Sequence, residues 1–71
     1  MSKKEALIEY ITQDIIGFLM SDKNIEIDSA MSIFYNSVVF EKLEDEETGL
    51  YLEGSAYIYD ILMDELDDII L

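Results

Sequence analysis

Residues 2–24, SKKEALIEYITQDIIGFLMSDKN, decide the fold class. The opening Ser2-Lys3-Lys4-Glu5 reads S-x-x-E, a capping box in which a serine hydroxyl and a glutamate satisfy the free N–H groups of a helix start. Leu7, Ile8, Ile11, Ile15, Phe18 and Leu19 then recur at spacings of three and four, which is one helical stripe. Ile16 and Met20 widen the apolar arc on the later turns. Gly17 costs about 1 kcal/mol relative to alanine in a helix, so it either permits close packing or weakens the element. The helix is expected to end near Ser21-Asp22-Lys23-Asn24.

Working outward, Asn24-Ile25-Glu26-Ile27 is a short connection without a partner strand nearby. Asp28 is the expected N-cap of a second helix carrying Ala30, Met31, Ile33, Phe34 and Tyr35. Asn36-Ser37 ends or recaps it, and Val38 to Glu44 forms a short third helix with Val39, Phe40 and Leu43 inward. Glu44-Asp45-Glu46-Glu47-Thr48-Gly49 is a loop, because four like charges repel and Gly49 accepts a positive φ. Ser55 is the expected cap of a last helix that buries Ile58, Tyr59, Leu62, Met63, Leu66 and Ile69 or Ile70. The expected fold is all-α: one domain, a small bundle of three to four helices with antiparallel-tending neighbours. The first and last helices pack together, and the two middle ones cover one side.

Composition bounds the function. The chain has 71 residues, 17 Asp+Glu against 4 Lys+Arg, a formal charge of −13, and no His, Cys, Trp or Pro. Without His or Cys there is no thiolate or imidazole metal site, no disulfide framework and no Ser-His or Cys-His nucleophile. A charge of −13 argues against direct nucleic-acid binding, which rests on Lys/Arg clusters and counterion release. Hydrophobic residues make up 51%, enough to collapse a chain whose charge alone would favour disorder. Lys3 and Lys4 precede an apolar region, but Glu5, Glu9 and Asp14 interrupt it, so neither a signal peptide nor a membrane span is expected and a cytoplasmic location is.

Enzymatic chemistry finds little support. Paired carboxylates suggest a glycosidase, but nothing marks a pocket or a buried general acid. Asp14, beside the apolar stripe of the first helix, is the one carboxyl to consider, and such residues usually sit solvated at the stripe edge. Glu44, Glu46, Thr48 and Gly49 match positions 1, 3, 5 and 6 of an EF-hand loop. Position 12 is Ser55 rather than glutamate, so non-specific cation association is the most that follows. No catalytic residue, metal site or cofactor is expected.

The charge is unevenly placed. Residues 1–40 hold six acids and three lysines, a balance of −3, whereas residues 41–71 hold eleven acids and one lysine, a balance of −10. Asp60, Asp64, Asp67 and Asp68 share one face of the last helix, with no Lys or Arg within a turn. Like-charge i,i+4 pairs cost about 0.2–0.5 kcal/mol each, and acids near a helix C-terminus oppose its dipole. A solvated, solubilising face explains this. A surface complementary to a basic protein also explains it, since charge steers encounter and orientation. Tyr57, about 100° round the helix from Ile58, is then the aromatic anchor. Helix one, apolar on a second side through Ile16 and Met20, is the expected surface of a homodimer. Three readings follow: a protein-binding module with a basic partner, a structural homo-oligomer with a solubilising acidic face, and a nucleic-acid mimic.

Residues 35–66, YNSVVFEKLEDEETGLYLEGSAYIYDILMDEL, carry a further pattern. Phe40, Lys42 and Leu43 form F-x-K-L; Thr48, Leu50 and Tyr51 form T-x-L-Y; Tyr57, Tyr59 and Asp60 form Y-x-Y-D; Glu65-Leu66 closes it. This resembles a family of short uncharacterised bacterial proteins. The family's third block reads S-x-x-Y-x-Y-D/E; with the tyrosines aligned, its serine falls on Gly54, one residue before Ser55. The resemblance implies a bacterial helical protein, an accessory or antitoxin-like binder whose genes neighbour toxin–antitoxin-like genes. It carries no catalytic residue.

Overall fold

The first helix, α1 (Lys3–Lys23), begins where the capping box places it. The Glu5 N–H donates to Ser2 Oγ at 3.1 Å, and the same hydroxyl donates back to the Glu5 carboxylate at 3.2 Å. Asn24 ends the helix in the left-handed region at φ 53°, a conformation asparagine tolerates better than most residues. The protein is described by a computed structural model that covers residues 2–70 and the side chains of residues 2–67.

Helix α2 (Ile27–Tyr35) starts earlier than the Asp28 cap predicts. Glu26 is the N-cap and makes no side-chain cap bond, while Asp28 sits in the first turn, where its charge meets the positive end of the helix dipole. The cause is apolar. Ile25 precedes the cap and Ala30 lies four residues after it, and both turn to the core as a hydrophobic staple.

Helix α3 (Val38–Glu44) has the predicted bounds. Buried Ser37 joins it to α2: its hydroxyl donates to the Phe34 carbonyl at 2.6 Å and accepts the Phe40 N–H at 3.1 Å. The acidic loop is more ordered than like-charge repulsion suggests. It holds two single 3-10 turns, Glu46–Thr48 and Leu50–Leu52, separated by Gly49 at φ 63°. The Thr48 hydroxyl shares its one proton between the Lys42 and Asp45 carbonyls and accepts the Leu50 N–H, and so holds both turns.

Helix α4 (Ser55–Ile70) closes the chain. Ser55 is its first residue rather than its cap. The Ile58 N–H donates to the Gly54 carbonyl, and the Ser55 hydroxyl leaves the helix altogether, donating to Asp14 Oδ2 at 2.7 Å.

All four helices supply the core. Ile11, Ile15 and Leu19 meet Ala30 and Phe34, Val39 and Leu43, and Ile58, Tyr59 and Leu62. The architecture is therefore all-α, and no strand occurs among the described residues. Phe18, expected in the stripe, lies at its edge and is 38% exposed. There it packs edge-on against Tyr59 with ring centroids 5.2 Å apart. Met63 and Leu66 are half-buried on the expected inner face of α4, whereas the side chains of Ile69 and Ile70 lie outside the described residues.

The packing of α1 on α4 is as expected. Ser55 meets Asp14, and Tyr59 meets Asp22, so the first turn of α4 lies against the second half of α1. Two intervening helices and two 3-10 turns return the chain to the middle of α1 before α4 begins.

Candidate functional site

Helix α4 is held at three heights. At its start the Ser55 hydroxyl binds Asp14. One turn later the Tyr59 hydroxyl donates to Asp22 Oδ2 at 2.7 Å. Burial of the ring, the hydrogen bond to Asp22 and the negative charge of Asp22 together push the Tyr59 phenol up to about 12 from its ordinary 10. Farther on, Glu65 reaches α3. Its two carboxylate oxygens accept the N–H groups of Val38, at 2.9 Å, and Val39, at 3.0 Å. With Phe40 served by Ser37, the first three N–H groups of α3 all have side-chain partners.

These anchors fix which side of α4 faces outward. Ile58, Tyr59 and Leu62 point to the core, and Tyr57, Asp60, Asp64 and Asp67 are exposed on the other side. Tyr57 is 55% exposed and has Asp60 and Asp64 at three and seven residues along the same face. Asp68 belongs to this face by sequence, but its side chain lies outside the described residues. The ion pair found among the described residues is elsewhere: Lys4 Nζ stands 3.6 Å from Glu46 Oε1 and donates to the Glu44 carbonyl at 2.7 Å. The face of α4 therefore presents Asp60, Asp64 and Asp67 with no cation paired to them among the described residues.

A shallow depression of about 280 Å³ lies beside this face, between α1 and α4. Phe18, Ala56 and Tyr59 form its apolar wall, and Asp22 and Asp60 stand at its edge. An apolar wall with carboxylates at the rim suits a lysine or arginine, whose stem packs on apolar surface while its head stays at the charged edge. Asp22 and Phe18 were not legible as site residues, because their approach to Asp60 depends on how α1 and α4 are aligned.

The other candidate groups do not gather into a site. Asp14 is exposed and holds Ser55. The residues of the EF-hand-like stretch serve the loop: Asp45 Oδ1 accepts the Glu47 N–H, Glu46 pairs with Lys4, and Thr48 binds backbone. No cluster of three or more acidic side chains able to hold a metal ion occurs among the described residues. No described helix is long and apolar enough to cross a membrane. No family model, curated protein or solved structure matches the chain.

Proposed function

We propose that this protein is a small acidic binding module, antitoxin-like in character, that presents the exposed face of α4 to a basic protein. The carrying observation is the set of exposed carboxylates of Asp60, Asp64 and Asp67, without a paired cation among the described residues, on a helix pinned by Asp14, Asp22 and Glu65. A solubilising face needs no such fixing, whereas a rigid array of charge loses little entropy when a partner docks. Tyr57 supplies an aromatic contact at one edge, and the depression by Asp60 receives a basic side chain at the other. Asp68 extends the array by its place in the sequence.

The test is a triple variant, Asp60→Lys, Asp64→Lys and Asp67→Lys. Loss of complementary rim charge acts mainly on the association rate. Partner association is expected to slow about tenfold or more at low salt, with the far-ultraviolet spectrum unchanged. An unchanged association rate would reduce the face to a solubility device.

A further inference from the structure

The outer side of α1 combines features that the fold itself does not use. Ala6, Tyr10, Gln13, Gly17 and Met20 follow one another at spacings of four, three, four and three, which is the spacing of a seam between two paired helices. This seam lies about 180° round the helix from Ile11, Ile15 and Leu19. Tyr10 is 70% exposed and Met20 36%, and Gln13 and Gly17 are also exposed. In a chain of charge −13, these five positions carry no charge.

Gly17 is the telling residue. A mid-helix glycine is costly, and here its φ is ordinary and nothing lies within 4 Å of the place a Cβ would occupy. The fold gives it no reason to be glycine, so the space above it is available to something else.

We infer that this seam is the two-fold interface of an antiparallel homodimer centred on Gln13. The order of side chains is self-complementary about that point. In an antiparallel pair with Gln13 on the axis, Ala6 faces Met20 of the second copy, and Tyr10 faces its Gly17. Each large side chain meets a small one, twice over by symmetry. The recess lined by Ala6, Glu9, Tyr10 and Gln13 takes the opposing Met20. Charge favours the helix ends of this orientation, while the two Asp14 carboxylates flank the axis and oppose it at the centre. Lys23 of each copy comes within a turn of Glu5 of the other, and the Lys3 of each nears the other's helix C-terminus, where free carbonyls favour cations. A parallel pair would instead set Lys3 beside Lys3 and bring like ends of the two helix dipoles together. The acidic faces of α4 stay outside this contact, so the dimer would present two of them. The inference stands on a different helix from the proposed partner surface and does not depend on it.

One helix pair is a small interface, so dimerisation is expected in the micromolar to millimolar range. Its salt response has the opposite sign from that of the partner complex: screening the repulsion between two chains of −13 strengthens it. Sedimentation equilibrium of the full chain, at about 0.5 M salt and up to about 1 mM protein, is expected to show a monomer–dimer equilibrium. The chain has no cysteine, so single cysteines report geometry directly. Gln13→Cys is expected to cross-link to itself on mild oxidation, since residues on the axis approach within disulfide reach. Ala6→Cys alone is expected not to cross-link, while a mixture of Ala6→Cys and Met20→Cys chains is. Gly17→Gln improves helix propensity and so keeps the fold, yet should weaken dimerisation at least tenfold. A chain that stays monomeric throughout, self-linking of Ala6→Cys, failure of Gln13→Cys to link, or a Gly17→Gln dimer of unchanged affinity would each overturn the inference. Partner binding that persists or fails alongside any of these results bears only on α4.

Discussion

Glu65 sits among the acids of α4 but has a different task. Its neighbours Asp64 and Asp67 face solvent, whereas its carboxylate spans to Val38 and Val39 and neutralises the start of α3. Nothing in the sequence separates it from the other acids, because the bond joins positions 26 and 27 residues apart. Glu65→Ala should cost about 1–2 kcal/mol, the usual worth of a helix cap, and Glu65→Gln about half of that, since the amide keeps one acceptor. Urea unfolding with an unchanged slope would measure both. Tyr59 gives a pH signature. Its folded pKa of about 12 exceeds the unfolded 10, so its contribution to stability is complete below pH 10 and is lost as pH rises through 12. In an absorbance titration of the five tyrosines, one should ionise late, and Tyr59→Phe should remove that step. A wild-type curve without a late component would contradict the Asp22 contact.

At the scale of elements, local chemistry was legible and tertiary chemistry was not. The capping box of α1, the serine joining α2 to α3, and the span Val38–Glu44 all follow from residues within a turn of each boundary. Asp28 misled because a polar cap competes with an apolar staple, and burial of Ile25 and Ala30 prevailed. Ser55 misled because its hydroxyl found Asp14 forty-one positions away. The exposed face of α4 was readable from periodicity alone, while the depression involving Asp22 and Phe18 needed the register of two helices. Two expectations belong here. Asp64 repels Asp60 at i−4, and Asp64→Lys should stabilise the isolated fold by about 0.5 kcal/mol while weakening partner binding. Gly17→Ala should stabilise the monomer by about 0.5–1 kcal/mol, because the added methyl enters open space on an exposed helix. Thermal unfolding of dilute protein would show both, and destabilisation by either would contradict the exposure assigned to that face.

For the whole molecule, the decisive quantity is a charge of −13 on a fold measuring 33 × 23 × 18 Å. Among the described residues, four helices share ten buried apolar side chains, a core small enough for self-repulsion to matter. The unfolding midpoint should therefore rise as salt is raised from about 20 mM to 0.5 M, and a flat response would mean that the acids are already neutralised. Fold class was legible from the helical periods, but the docking of the start of α4 on the second half of α1 was not, since it depends on where two 3-10 turns return the chain. The same salt scale tests function most directly. A tagged chain and its Asp60→Lys, Asp64→Lys, Asp67→Lys variant would each be recovered from the native host at low salt and at about 0.5 M, where screening leaves a range of only a few ångströms. The predicted result is a stoichiometric basic protein held by the wild type at low salt, and lost both at high salt and from the variant. Recovery of the wild type without such a partner, or with one that survives both high salt and charge reversal, would contradict the assignment of α4 as the binding face.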